Sequence, residues 1–350
     1  MRRAWTAAAA AWLLFACPAA QAAVAYRIAT ASEQSTWFAA GRDLARLVAP
    51  GADMQLEVLA TPGSAANVRM LRDDPSVRLA IVQADVLQGL AERRAEGNAE
   101  AAGLLRPVRV ILPLFDAEVH FVVRADSPMR WIHDIHDARI NGGPVGSGTA
   151  LVTHNVYRLM FGAPMPAANA AFLAPEEALV RLVTDRSVDV VVVAAGQPAP
   201  LFAAMSPEAR RHIRFLALDP KHPRTAAALK TYTAATMRAS SYPHLLDQDF
   251  ATLAVGAYLV TRSFDDKDIN DELARFGRVL CDRFDRLQAG GHPKWREVAF
   301  GLRRLPAGLV YSDPTSREIR ACLGSDGPRR PRATPPPACA PAERLLGLCR

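Results

Sequence analysis

The residues best suited by type and spacing to chemistry lie in GGPVGSGTALVTHNVYRLMFG, positions 142–162. Gly143 to Thr149 follow the G-x-x-x-x-G-T spacing of a phosphate loop, without the lysine that such loops use to reach phosphates. The residues after Gly148 are Thr149 and Ala150, which argues against nucleotide hydrolysis. Ser147 does not sit in a nucleophile elbow either. A G-x-S-x-G turn needs glycine two residues to each side, and those positions hold Val145 and Thr149. What the run can do is hold an oxygen. Successive N–H groups in a glycine-rich turn form a concave nest. A following helix N-terminus adds unpaired N–H groups and about half a positive charge. Together they accept a carboxylate or phosphate without any basic side chain. Gly146, Ser147, Gly148 and Thr149 are therefore candidate ligand-binding residues, the two hydroxyls serving as extra donors. An ordinary strand-to-helix turn capped by Ser147 accounts for the same residues equally well.

Other candidates carry less. HDIHD at 133–137 places His133 and His136 beside Asp134 and Asp137. A metal site needs inward-facing ligands with supporting partners, and a polar helical turn is the preferred reading. Asp85 follows an apolar strand and suits either acid–base work or a helix cap. None of the eight histidines can be paired with a nucleophile. The reading is a binding protein rather than an enzyme, with no catalytic residue, no metal and no cofactor.

The elements that must position these residues alternate. AYRIATA (25–31), MQLEVLAT (54–61) and VRLAIVQAD (77–85) read as strands. Helices over 36–48, over 64–74 with Ser64 as cap, and from 85 to about Glu96 lie between and after them. VRVILPLF and EVHFVVRAD follow, separated by Asp116 and Ala117. A second unit contains a short strand at 138–143, a helix at 175–185 and the apolar strand VDVVVVAAG at 188–196. It continues with a strand at 213–219 and a long β-prone run at 250–262. A helix spans 265–291. This alternation predicts α/β layers with mainly parallel sheets.

Half of the 350 residues are hydrophobic and 22% are charged, which suits one large or two ordinary globular domains. MRR, an apolar stretch and AQA at 20–22 read as a secretory signal peptide over 1–22, so the expected compartment is the periplasm. LLFAC at 13–17 is a weaker lipoprotein signal that would anchor the chain at Cys17. The formal charge is +7; without Arg2 and Arg3 it is +5, and most of that lies in the tail, where Arg329, Arg330, Arg332, Arg344 and Arg350 face only Asp326 and Glu343. No basic stripe with interleaved aromatics exists, which argues against nucleic acid as a partner. Beyond Cys17 the cysteines are Cys281, Cys322, Cys339 and Cys349. In an oxidising compartment they are expected to form one or two disulfides, and three connectivities are open. The Pro/Arg-rich tail from 323 to 350 cannot make a core.

Several segments, taken in order, resemble the TAXI-type solute receptors of TRAP transporters. ATASEQSTWFAAG (29–41) holds the place of that family's glycine-rich first loop. GSAANVRML (63–71), VQAD (82–85), VHFVVR (119–124), DIHDARINGGPVGSGT (134–149), DRSVDVVVVAAGQPAP (185–200) and DFATLAVGAYLVTR (249–262) each match a family segment. The resemblance covers about residues 25–315. Gln34 and Ser35 replace glycines of the first loop, Trp37 and Phe38 stand where tyrosines are usual, and Ala150 stands where arginine often follows GSGT.

The resemblance implies a two-lobed periplasmic-binding-protein fold of type II, with the ligand cleft between lobes. Lobe one is expected at 24–118 plus 259–322 and lobe two at 119–258. Ligands of such folds bind beyond the carboxyl ends of strands. That rule points to Ser32, Thr36, Trp37, Ser64, Asn67, Gln83 and Asp85 in lobe one. In lobe two it points to Gly146 to Thr149, Gly196 and Gln197. The implied function is capture of a small organic solute, an organic acid or amino-acid-like, by hinge closure. Delivery would be to TRAP membrane permease subunits, by a monomer. The departures argue for a more apolar and less cationic pocket. The alternative is a periplasmic sensing module not coupled to transport.

Overall fold

Apolar runs of five to eight residues, each followed by a loop or helix, build two separate sheets. The computed structural model describes residues 24–324. The expected signal peptide, most of the Pro/Arg tail, Cys17, Cys339 and Cys349 lie outside the described residues.

Lobe one begins with β1 (Val24–Ala29), α1 (Thr36–Asp43), β2 (Met54–Leu59), α2 (Ser64–Asp73), β3 (Val77–Gln83), α3 (Ala84–Ala95), α4 (Ala99–Leu105) and β4 (Val108–Pro113). The chain then enters lobe two with β5 (Ala117–Arg124), β6 (Ile140–Asn141), α5 (Gly148–Phe161), β7 (Ala170–Ala171), α6 (Pro175–Val183) and β8 (Val190–Ala195). α7 (Pro200–Ala203), β9 (Ile213–Phe215), α8 (Pro223–Ala228), β10 (Thr233–Met237) and β11 (Phe250–Val255) complete it. β12 (Ala257–Arg262) returns to lobe one, followed by α9 (Lys267–Asp282), α10 (Phe284–Gly290) and α11 (Asp313–Leu323).

The first sheet has the order β2-β1-β3-β12-β4, and the second β10-β11-β5-β8-β6-β7 with β9 also on β5. β1 runs parallel to β2 and β3, while β12 runs antiparallel to β3 and β4. A returning antiparallel strand inserted beside three parallel ones is the hallmark of the type II two-lobed binding-protein fold. The chain crosses between lobes at 114–116 and at Gly256, slightly before the boundaries expected from sequence. The β-prone run at 250–262 is therefore two strands in different sheets, because Gly256 lets one apolar run serve both lobes.

Other expectations are also refined. The helix foreseen over 36–48 leaves α-helical geometry at Leu44 for a wider π-type turn to Val48. The helix foreseen at 265–291 breaks at Arg283 into α9 and α10. Ser64 is the first residue of α2 rather than its cap, which is Gly63 at φ 136°. HDIHD forms no full helical turn: a short 3-10 turn covers Ile132–Asp134, and the Asp134 carboxylate accepts from the N–H groups of Arg130 and Trp131 at 2.8 and 2.9 Å.

Burial follows layer position. β5 and β8 are almost wholly buried, as strands covered on both faces must be. α9 lays its apolar stripe on lobe one, capped by the Asp266 carboxylate accepting from Asp268 N. Gly277 lets α11 pack close, since a Cβ there would sit 2.8 Å from the Thr315 Cα. A disulfide joins Cys281 of α9 to Cys322 of α11.

Candidate functional site

The carboxyl ends of β1, β2 and β3 face those of β6 and β8 across a cleft of about 280 Å³. Lobe one contributes Ser32, Gln34, Ser35 and Trp37, then the Thr61–Ser64 loop, then Gln83. Lobe two contributes Gly143, Pro144 and Ser147–Thr149, then Ala174–Glu176, Val193–Ala195 and Ala199–Leu201. Among the described residues no lysine, arginine or histidine lines it, and Glu176 is the only ionisable side chain that does.

The glycine-rich turn is built as its residues require. Gly143 and Gly146 have φ of 85° and 81°, in the region that favours glycine. Ser147 is the N-cap of α5, its Oγ accepting from Ala150 N at 3.1 Å. Thr149 Oγ1 accepts from Ala194 N at 3.2 Å, which leaves its hydroxyl proton free to donate. The serine caps a helix, and the helix start faces the cleft.

The lobes meet at glycines. A Cβ on Gly63 would lie 2.9 Å from Gly148 N, and a Cβ on Gly148 would lie 2.0 Å from Gln83 Oε1. Gln83 Oε1 is itself buried without a hydrogen-bond partner among the described residues. Ser64 Oγ accepts from Gln83 N at 3.0 Å and so ties the start of α2 to the end of β3.

Ser32, Trp37, Ser64, Gln83, Ser147, Gly148 and Thr149 thus gather on one cleft. Six other sequence-derived candidates do not line it. Asn67 is fully buried as a structural clamp: its Nδ2 donates to the carbonyls of Thr30 and Ile81 at 2.6 and 2.8 Å, and its Oδ1 accepts from Thr61. Thr36 Oγ1 donates to the carbonyl of Gly196 at 3.1 Å, so both positions join the lobes rather than face a ligand. Gln197 is spent on Glu118, on the Thr236 carbonyl and on Arg238 N. Gly146 is exposed with no side chain near. Asp85 accepts from the Tyr232 hydroxyl of lobe two at 3.0 Å, and burial pushes its carboxyl up to about 6. Trp37 stacks face to face on Phe115, with centroids 4.8 Å apart, and is nearly buried where it borders the cleft.

Sequence reading missed the residues behind this arrangement. Lys294 reaches Glu118 at 2.7 Å, fully buried, and Glu297 at 2.5 Å. Glu118 also accepts from Gln197 N at 2.9 Å. The only local signal was a charged residue at the head of the apolar β5. His120, on the same strand, is held down to about 4 by burial and bonds the Tyr242 hydroxyl at 2.7 Å. Among the described residues no group of three or more His, Cys, Asp or Glu is arranged to hold a metal ion.

Fold and cleft together define a two-lobed α/β protein of the periplasmic-binding-protein fold. The NMT1-like family matches residues 28–297, and the chain belongs to that family. No curated protein matches the chain in sequence. Among solved structures it is similar to XAC2383 from Xanthomonas citri bound to ATP, at 16% identity and TM-score 0.47, covering 85% of this chain and 96% of that one. It is similar to CAE31940 from Bordetella bronchiseptica RB50 at 13% identity and TM-score 0.47, covering 93% and 88%. The alkanesulfonate-binding protein SsuA from Xanthomonas axonopodis pv. citri bound to MOPS is similar at 13% identity and TM-score 0.43, covering 88% and 85%.

Proposed function

We propose that the chain is a periplasmic receptor that captures one small organic solute between its lobes and passes it to a TRAP-type permease. The observation that carries this reading is the interlobe cleft, walled on one side by the 143–149 turn and on the other by the 61–64 loop. Ligand oxygens bond the N–H groups at the start of α5 and the Thr149 hydroxyl; a ligand N–H or O–H bonds Gln83 Oε1. A partly apolar body lies against Trp37, Pro62, Pro144 and Leu201. The solute is an organic acid or amino-acid-like molecule whose negative charge is met by backbone dipoles alone. The close approach of Gly63 to Gly148 marks the closed state. Opening swings the lobes about the crossings at 114–116 and Gly256, and the solute favours closure through contacts it makes only there.

The test is native mass spectrometry of gently purified protein, followed by small-angle scattering with the recovered solute. The expected result is one bound small molecule and a smaller radius of gyration when it is present. Retention without compaction would sink hinge closure, and turnover of the solute would replace the receptor reading with an enzyme.

A further inference from the structure

The end of lobe one farthest from the cleft concentrates arginines that close no ion pair among the described residues. Val260 of β12 pairs with Ala80 of β3, and Thr261 with Arg109 of β4. Arg78, Arg262 and Arg109 therefore sit on three neighbouring strands at one end of the sheet, and Arg317 of α11 adds a fourth. Some arginines elsewhere are matched, as in Arg27–Glu57, Arg139–Asp189 and Arg238–Glu297. These four make no ion pair among the described residues.

Their contacts leave donors unused. The guanidinium groups of Arg78 and Arg262 lie 4.7 and 4.6 Å from the centroid of Phe264. Stacking satisfies the flat face of a guanidinium, whereas its N–H donors lie in its plane. Nε of both arginines is buried without a hydrogen-bond partner, an arrangement that costs stability unless an acceptor arrives. Burial, and then the charge of Arg78, hold Arg262 below the ordinary guanidinium range. The nearby carboxylates are three: Asp313 borders the pocket, Asp266 acts on Arg78, and Asp271 feels the charge of Arg317 while paired with Lys267. Arg109 gives one nitrogen to the carbonyls of Arg106 and Val108. Arg109, Arg262 and Arg317, with Ser263, Asn270 and Ser312, surround a pocket of about 280 Å³.

We propose that this pocket is a second ligand site, separate from the interlobe cleft, and that it takes a tetrahedral oxyanion: phosphate, sulfate or a phosphate-ester group. A carboxylate has two oxygens to offer. Three guanidinium groups, two hydroxyls and an amide suit an ion with four oxygens and more than one charge.

The experiment is calorimetric titration of inorganic phosphate into the full chain in low-salt, phosphate-free buffer. Binding is expected, and added sodium chloride weakens it. Arg317→Gln changes an exposed side chain and leaves the fold intact. It weakens binding at least about tenfold, as loss of a charge-assisted hydrogen bond does. Arg262→Gln does the same, and Asp313→Asn tightens binding. Gly148→Leu, in the cleft, leaves phosphate binding unchanged. Co-sedimentation with phosphatidylglycerol vesicles separates the sources. Capture by vesicles that is lost in Arg317→Gln assigns a lipid headgroup, and heat with free phosphate but no sedimentation assigns a free oxyanion. The proposal is overturned by silence in both assays, by binding equal in Arg317→Gln and the parent chain, or by loss of binding in Gly148→Leu.

Discussion

Two pockets of about 280 Å³ lie at opposite ends of lobe one, and they are made of different material. The cleft between lobes has no cationic side chain among the described residues; its donors are hydroxyls, the amides of Gln34 and Gln83, and the backbone at the start of α5. The distal pocket has three arginines. In the first, charge comes from aligned peptide dipoles, which act over one helical turn and need a partner lobe to exclude water. In the second, charge comes from full guanidinium groups, which act without any closure but are screened by salt. The comparison teaches that, on the two proposals above, specificity would be divided: the cleft would read shape and hydrogen-bond pattern, and the distal pocket charge.

The largest expected effect falls on the cleft side. Lys294→Met leaves the Glu118 carboxylate buried and unmatched, which costs about 3–5 kcal/mol in urea unfolding. Adding Glu118→Gln restores most of it. If both variants also lose phosphate binding, the two regions are not independent. Replacing Cys281 and Cys322 by serine removes a link spanning 41 residues and costs about 4 kcal/mol. It loosens α11, which carries Arg317 and follows Ser312, so phosphate titration weakens while solute retention in the cleft holds.

Gly148→Leu fills the cleft where a Cβ already meets Gln83. It weakens solute retention, read by native mass spectrometry, about tenfold to a hundredfold, as overpacking of a closed interface does. An effect of comparable size is a pH dependence. Asp85 titrates near 6 in the folded chain and near 4 unfolded, so the folded state binds the extra proton. Stability falls as pH rises through that window, and above it remains lower by about 2–3 kcal/mol. Asp85→Asn flattens the slope, checked by thermal unfolding between pH 4 and 7. An unchanged slope would remove Asp85 from the interlobe contact.

Much of the fold was legible because periodicity is local. The apolar β8, the strand-to-helix turn at Gly143–Thr149 and the order of segments all follow from short-range patterns. Seven of the thirteen sequence-derived ligand residues line the cleft in the structure, since they follow strands whose carboxyl ends meet. Asn67, Gln197 and Asp85 could not be separated from those seven in sequence. A buried amide that clamps two strands and an exposed amide that binds a ligand have the same letter and the same place after a strand. The crossing at Gly256 was hidden for a related reason: two adjacent strands in different sheets read as one apolar run.

The sequence by itself determined where strands and helices alternate, that the glycine-rich turn lacks the lysine of a phosphate loop, and that serine would cap the helix after it. Those properties depend on residue type and on neighbours within one turn. Tertiary structure alone decided that Lys294 answers Glu118 across 176 positions, that Trp37 spends its face on Phe115, and that Arg78, Arg109, Arg262 and Arg317 converge. Such pairings depend on sheet order, and a sheet order of β2-β1-β3-β12-β4 brings together residues that no local pattern relates.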